Sequence, residues 1–411
     1  MANILFSGGR GNKSLLQAIT KDKSKSFTWK VVVNGLDDGA STGTIRELLG
    51  NTTHGISDFL KVALAMSPNI ELQKLLEERL PTVNSFTDEL KLSKEIYNFI
   101  TDKNDLNCLK RYKNSPEIKD EIKAHMSFLL KDLYRRHGSI PNFSDFKIGN
   151  IVFASLLVQN KLHFQSSIND FFKFCTIDKT KFSILQSTET NSYLVGLLKS
   201  GSLLPNEAAV VLTRTSDSIE RTFQISSPLS SNMIRNICSL ELDDKIKILN
   251  ALEVIPDVSK MTVDAISQAS SIVYGAGTPY SSLLPTLELK GIANQIKSVD
   301  CPKILVVNLA KETSNTLSAK DVIDGIYKYL NKSNNNQKDL FDSRYLTHVI
   351  VPNTKTNNST SKNLIKMDID EIYQSYGWIN IVQADVVSDH DSSKHDGVKL
   401  MNCIKSIVQN G

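Results

Sequence analysis

The chain opens Ala2-Asn3-Ile4-Leu5-Phe6-Ser7-Gly8-Gly9-Arg10-Gly11-Asn12 and runs on into Ser14-Leu15-Leu16-Gln17-Ala18-Ile19. The first six residues read as a buried strand, the glycines as a turn, and the last six as the start of a helix. A glycine turn between a strand and a helix is a ready anion site. The backbone can approach a phosphate closely, and the helix end offers free N–H groups and a favourable dipole. No Gly-Lys-[Ser/Thr] follows, so the loop is not a Walker A loop. It half-fits the dinucleotide pattern: Gly9 and Gly11 match the first two glycines, and Ser14 stands where the third would be. On this loop alone a nicotinamide pocket, another phosphate pocket and a tight turn without ligand all stay open.

Working outward, Trp29-Lys30-Val31-Val32-Val33-Asn34 reads as a second strand, and Ser57 to Met66 has helical spacing. Strands joined through helices at this length pair in parallel with right-handed crossovers. Ser271 to Tyr274, Lys303 to Asn308, His348 to Pro352 and Trp378 to Val382 read as further strands, the second with the near-continuous apolar character of a buried parallel strand. Residues 70–142 differ. They are rich in Leu, Lys and Glu at three-and-four spacing and read as a helical insertion. Helices are also expected at Ile148 to Leu157 and Ile168 to Cys175. Over 182–223 the texture turns to β, with strands expected at 192–198 and 208–212 around the turn Lys199-Ser200-Gly201-Ser202. The organisation expected is one α/β domain over 1–411 carrying these two excursions.

Two more stretches carry chemistry. The second strand ends in Asn34-Gly35-Leu36-Asp37-Asp38-Gly39-Ala40-Ser41-Thr42-Gly43. Carboxylates at the carboxyl end of a parallel strand overlook the crevice where α/β proteins bind ligands. In a glycine-rich turn Asp37 and Asp38 could share a magnesium, which takes hard oxygen ligands and bridges phosphates. The alternative is one carboxylate capping the next helix. Tyr274-Gly275-Ala276-Gly277-Thr278-Pro279-Tyr280-Ser281-Ser282-Leu283-Leu284-Pro285 is a second glycine turn after a buried strand, loaded with hydroxyls that suit phosphate oxygens or a sugar. Lys394-His395-Asp396 reads from spacing as a surface pair or a dyad.

The composition narrows the classes. The chain has 411 residues, 40% hydrophobic and 22% charged, with a net charge of +4. That charge is too small for the length to argue for nucleic acid or an anionic membrane. Cys108, Cys175, Cys238, Cys301 and Cys403 form no C-x-x-C pair, which points to free thiols in a reducing compartment. No signal-peptide pattern opens the chain, and no apolar run approaches the roughly 18 residues of a membrane span. A soluble cytoplasmic protein is expected. No H-E-x-x-H zinc pattern occurs.

Taken together, these motifs resemble the family of the bacterial gluconeogenesis factors, which bind UDP-sugars, and the 2-phospho-L-lactate transferases (CofD-like). Its opening glycine turn resembles Gly8 to Gly11. Its Asp-Asp-Gly-Gly-Ser-Ser-Gly turn resembles Asp37 to Gly43, and its following Arg and Gly resemble Arg46 and Gly50. Its Gly-Asn helix start is similar to Gly149-Asn150, its Gly-Pro-Gly-Ser-x-Tyr-Thr-Ser-x-x-Pro turn to Gly275 through Pro285, its Asn-Leu strand end to Asn308-Leu309, and its closing Arg-His-Asp to Lys394-His395-Asp396. The matches fall in the same order along the chain, outside about 70–142. Three departures stand out: Arg10 where the family has a small residue or Thr, Gly55-Ile56-Ser57-Asp58-Phe59 where the gluconeogenesis factors have Gly-Asp-Ile-Arg-Asn, and Lys394 for Arg, which loses the bidentate fork.

The resemblance implies an α/β, Rossmann-like fold with a mostly parallel central sheet, a helical insertion and a small β-excursion. It implies a nucleotide or nucleotide-sugar ligand, with UDP-sugar binding and a regulatory role in carbon or cell-envelope metabolism as the leading reading. The ligand-binding residues would be Gly8, Gly9, Arg10, Gly11, Asn12, Ser41, Asn150, Gly275, Gly277, Thr278, Tyr280, Ser281, Asn308, Lys394 and His395. The alternative is a transferase moving a phosphate-linked group from a nucleoside diphosphate to an alcohol, with Asp37 and Asp38 as catalytic magnesium ligands and His395 or Asp58 as a candidate base. No nicotinamide or flavin prosthetic group is expected, and a homo-oligomer is compatible with the sequence.

Overall fold

The computed structural model describes residues 2–8, 11–22, 27–50, 53–213, 217–310, 317–333, 341–353 and 364–410. The chain divides into two compact units, one of residues 1–37 with 178–411 and one of 38–177. The first unit holds the strands: β1 Ala2–Phe6, β2 Trp29–Val33, β3 Phe182–Gln186, β4 Tyr193–Leu198, β5 Leu203–Leu204, β6 Ile219–Ile225, β7 Ala269–Tyr274, β8 Lys303–Val306, β9 His348–Pro352, β10 Asn380–Ala384, β11 Val387–Ser388 and β12 Asp391–His395. Seven of them form one sheet in the order β10-β9-β8-β7-β1-β2-β3. Every pairing in it is parallel, with Phe6 of β1 beside Val32 of β2 and Tyr274 of β7. The α/β, Rossmann-like fold expected from the alternation is therefore present. The apolar runs reflect it: Ile4, Val31, Val33, Ile272, Val273, Ile304 and Val349 are inaccessible to solvent.

From β1 the strand order runs outward through β2 to β3 on one side and through β7 to β10 on the other. That reversal is the topological switch point of an open α/β sheet, and ligands bind outside the strand ends there. The core behind it is rich in aromatics. Tyr327 stacks on Tyr376 with centroids 5.4 Å apart, and the buried Tyr274 hydroxyl donates to the Tyr345 carbonyl at 2.7 Å.

The β-excursion is an antiparallel sheet in the order β5-β4-β6. Its alternate residues serve two clusters. Tyr193, Val195 and Leu197 face one, while Leu194 and Leu198 join Leu36, Leu204, Val210 and Ile219 in the other, against which Tyr280 packs. The strand expected at 208–212 is instead the helix Glu207–Leu212, and the hairpin partner of β4 is the two-residue β5. Pro205 interrupts strand pairing, and the Asn206 side chain accepts from Ala209 N at 2.8 Å to start the helix. A short apolar run does not tell strand from helix by itself. The last sheet strand also lies two residues later than its reading from Trp378: it begins at Asn380.

The second unit is helical: Ala40–Leu49, Ser57–Met66, Ile70–Glu77, Phe86–Ile100, Pro116–His137, Ile148–Gln159 and Phe164–Phe174, with one 3-10 turn at Asn107–Leu109. The helices of 70–142 thus belong to a unit that runs from 38 to 177. Ile148–Gln159 is its centre, buried from Ile148 through Leu157, with Asn150 and Ser155 as the polar residues of that stretch. Gly149 permits this closeness, since a Cβ there would lie 2.8 Å from Leu60 Cδ1 and 2.9 Å from the Leu76 carbonyl oxygen.

A charged cluster in the first unit is built on one buried carboxylate. Glu288, 1% exposed, pairs with Lys332, whose Nζ also lies 2.6 Å from Glu253. Arg221 grips both oxygens of Glu253 at 2.7 and 2.5 Å. Burial holds the Glu288 carboxyl above the ordinary glutamate range against the downward pull of Lys332. Removing one partner of such a pair leaves a buried charge uncompensated. Lys332→Met is expected to lower stability by about 3 kcal/mol near neutral pH. A carboxyl whose folded pKa is raised favours folding below its unfolded pKa, so the loss shrinks as the medium becomes acidic. Urea unfolding of both proteins across the acid range checks this; an equal loss at every pH would contradict it.

Candidate functional site

The two glycine turns, read separately in the sequence, leave adjacent strands. The first follows β1 and the second follows β7, so they lie side by side at the switch point. Their approach leaves no room for side chains. A Cβ on Gly11 would fall 1.5 Å from the Ala276 carbonyl oxygen, one on Gly275 within 2.6 Å of the Asn12 amide, and one on Gly277 3.0 Å from the Gly8 carbonyl oxygen. The helix Lys13–Lys21 starts from this contact, with Asn12 at its N-cap but no side-chain cap bond. Asn12 is instead turned inward: it is 1% exposed and its Nδ2 donates to Ser7 Oγ at 3.0 Å. Its buried Oδ1 has no hydrogen-bond partner, an arrangement that buried polar groups rarely tolerate unless something else completes it.

The remaining wall comes from later in the chain. Asn308 Nδ2 donates to the Gly277 carbonyl at 3.2 Å. His395, at the end of β12, is 7% exposed, and burial pushes its imidazole down to about 4 against the upward effect of its hydrogen bond to the Val307 backbone. Its ring is held at the backbone of Val307, the residue before Asn308. Asp396 Oδ1 caps the following helix, accepting from Val398 N and Lys399 N at 2.9 Å each. A Cβ on Gly397 would meet the Ser14 carbonyl oxygen at 1.9 Å, so this helix abuts the one that leaves the first turn. Lys394 points elsewhere: its ammonium is 2.8 Å from Asp391 and its side chain is 73% exposed.

The hydroxyl turn is buried. Ser281 and Ser282 are 4% and 5% exposed, and Pro279–Leu283 forms a turn of π-helix. The Thr278 backbone carbonyl accepts from Ser282 N and Leu283 N at 2.9 and 3.2 Å. The Tyr280 hydroxyl donates to the Ile219 carbonyl at 3.3 Å, and burial pushes its pKa up to about 12. Asn34, not singled out by its sequence, sits 5% exposed at the end of β2 and bonds to this turn. A polar residue closing an apolar strand was the only signal for it.

Asp37 ends the first unit's opening segment and Asp38 begins the helical unit; both are half-buried. The N-cap of helix Ala40–Leu49 is Gly39, without a side-chain cap bond. Among the described residues no group of three or more His, Cys, Asp or Glu is placed to hold a metal. Two adjacent carboxylates are a donor set for a magnesium that takes its other ligands from phosphates and water. Within the helical unit, Asn150 Nδ2 donates to Ser41 Oγ at 2.8 Å, and Asp58 pairs with Lys61 at 2.8 Å. That unit also contains a cleft of about 630 Å³ lined by Glu117, Glu121, His125, Asp170 and Lys173. Gly9 and Arg10 lie outside the described residues.

The 2-phospho-L-lactate transferase CofD family matches residues 4–387. The chain belongs to that family. This CofD-family chain is similar to the Gluconeogenesis factor of Listeria monocytogenes serovar 1/2a, at 20% identity over 379 residues, which is 91% of this chain and 88% of that protein. An X-ray structure of a Bacillus halodurans protein matches its fold with a TM-score of 0.65 at 16% identity, covering 98% of this chain and 99% of the other. A crystal structure of a UPF0052-family protein from Bacillus halodurans gives 0.64 at 16% identity, covering 98% of both.

Gly11→Ala is expected to cost about 3 kcal/mol, because neither backbone can yield at the turn contact; thermal or urea unfolding measures it. His395 stays neutral down to about 4 in the folded protein, whereas an unfolded histidine takes up its proton near 6.5. The unfolded state therefore binds more protons in that window, and stability falls as pH drops through it. His395→Asn should flatten this slope in urea unfolding, and an unchanged slope would show that other groups set it.

Proposed function

We propose that this CofD-family chain binds a nucleoside diphosphate at the β1/β7 switch point, with a UDP-sugar as the leading ligand and a regulatory output. The observation that carries the reading is the juxtaposition of the two glycine turns with the start of helix Lys13–Lys21. Backbone N–H groups and a helix dipole at a sheet's switch point suit a diphosphate. Asn12 Oδ1, buried and without a partner, suits a hydroxyl donor such as a sugar would bring. The Gluconeogenesis factor, similar over 91% of the chain, is the relative that this reading follows. A cytoplasmic location is part of this reading; among the described residues no helix is long and apolar enough to cross a membrane.

A second reading is favoured by Asp37 and Asp38 and by the family's description. Here a phosphate-linked group passes from a nucleoside diphosphate to an alcohol oxygen. The new phosphorus–oxygen bond replaces the bond to the leaving nucleotide, which departs as a nucleoside monophosphate, and the alcohol's proton passes to water. Magnesium, when bound, neutralises charge on the leaving oxygen. Asp37 and Asp38 would hold it. Asp58 is a poor base in this reading because its carboxylate already pairs with Lys61.

Thermal unfolding with UDP-N-acetylglucosamine, UDP, GDP and NAD, each with and without magnesium, separates these readings. Ligand at a hundred times its Kd stabilises by about 2.7 kcal/mol. A magnesium-independent rise with the UDP-sugar supports the binder, and a magnesium-dependent rise with GDP supports the transferase. No rise with any nucleotide overturns both. Asp38→Asn should weaken magnesium-dependent binding and leave magnesium-independent binding within about twofold.

A further inference from the structure

Asn34 joins two turns of the site. Its Nδ2 lies 2.7 Å from the Ser282 carbonyl oxygen, 3.1 Å from Thr286 Oγ1 and 3.3 Å from the Ser281 carbonyl oxygen. Its Oδ1 accepts from Leu36 N at 3.3 Å. The need for a donor there is written in the opposite turn. In an α-helix the Ser281 carbonyl would receive the N–H of the residue four places on, but that residue is Pro285, which has none. The chain widens into the π-helical turn Pro279–Leu283 just before it. Such turns disturb the regular helix ladder and recur at functional sites. The Asn34 amide gives the Ser281 carbonyl the donor that Pro285 lacks, and it shares the Ser282 carbonyl with the Thr286 hydroxyl, which donates there at 2.7 Å.

The other side of the turn is held separately. Gln224 Nε2 donates to the Pro285 carbonyl at 2.9 Å, and the Tyr280 hydroxyl reaches the Ile219 carbonyl. These bonds seat the turn on the antiparallel sheet. Asn34 alone among these groups comes from the end of β2, three residues before Asp37. Both ends of its amide are engaged within the protein, so it acts through the turn.

We propose that Asn34 is a positioning residue that fixes the hydroxyl turn Thr278–Ser282 against the strand end leading to Asp37, so that nucleotide binding depends on its Nδ2–H. The inference rests on the nucleotide reading above and adds the device that sets the site's spacing.

Asn34→Asp tests it, because the side chain keeps its shape and loses its donor. An ionised carboxylate would oppose the Ser281 and Ser282 carbonyl oxygens, whereas a protonated one donates again. Binding of UDP-N-acetylglucosamine and GDP is measured by calorimetry, with hydrogen–deuterium exchange of residues 278–287 in parallel. The variant should bind roughly tenfold more weakly near pH 8 and recover towards wild type near pH 5. Wild type over the same range is the control for Asp37 and other titrating groups. Exchange in 278–287 should quicken in the variant near pH 8, and that in the helix Gly397–Asn410 should not. If the aspartate variant does not fold, Asn34→Ser replaces it, with weaker binding expected at both pH values.

Wild-type affinity in the variant near pH 8 overturns the proposal. So does weakened binding with unchanged exchange in 278–287, since Asn34 would then act on the ligand directly. Failure of wild type to bind any nucleotide overturns the nucleotide reading, and the exchange data alone then decide whether Asn34 holds the turn.

Discussion

The contact between the turns that leave β1 and β7 constrains everything built around it. Two backbones meet there at a separation that excludes even a methyl group, with the Gly11 Cα facing the Ala276 carbonyl and Gly277 facing Gly8. Parallel pairing of the two strands brings the turns together, and the glycines let them close. Once they close, the helix Lys13–Lys21 has a fixed origin, the Asn12 amide lies against Gly275, and Gly397 can lay the last helix against Ser14. The same glycines that suit a phosphate are therefore needed for packing. The two explanations of a glycine-rich turn, ligand and sterics, are not rivals at this position.

Around that contact the protein satisfies its buried polar groups by reaching across the sequence. The hydroxyl turn takes a donor from Asn34 on one side and from Gln224 on the other. Asn308 supports the Gly277 carbonyl, and His395 supports the backbone at Val307. The antiparallel sheet serves as a platform for the same region, because Leu36 and Tyr280 pack on its apolar face. Its central strand β4 is thus apolar on both faces, which hides the period-two alternation that usually marks an antiparallel sheet.

Much of this was legible. Short apolar runs marked six of the seven parallel strands, and the carboxyl-end positions of the glycine turns followed from them; β3, read with the β-excursion of 182–223, instead pairs with β2 in the central sheet. Where local chemistry competed with pattern, the reading failed. Ala208 to Leu212 is apolar enough for a strand, but Asn206 caps it into a helix whose Val210 packs over Gly196. Lys394 shares a tripeptide with His395, but strand alternation sends the lysine to solvent and the histidine inward. Asn34 gave almost no signal, because its role depends on the donor that Pro285 lacks, 251 positions away.

The sequence by itself determined the strand–turn–helix character of the opening segment, the parallel sheet and the family, since these follow from local periodicity and from glycines in a fixed order. Only the tertiary structure decided that the two glycine turns are neighbours, that His395 is neutral and buried, and that Asn34 completes a distant turn. Strand order, burial and hydrogen-bond partnership are relations between segments far apart in the chain. Pairing β1 with β7 brings two loops far apart in the chain together, and the glycines let them touch.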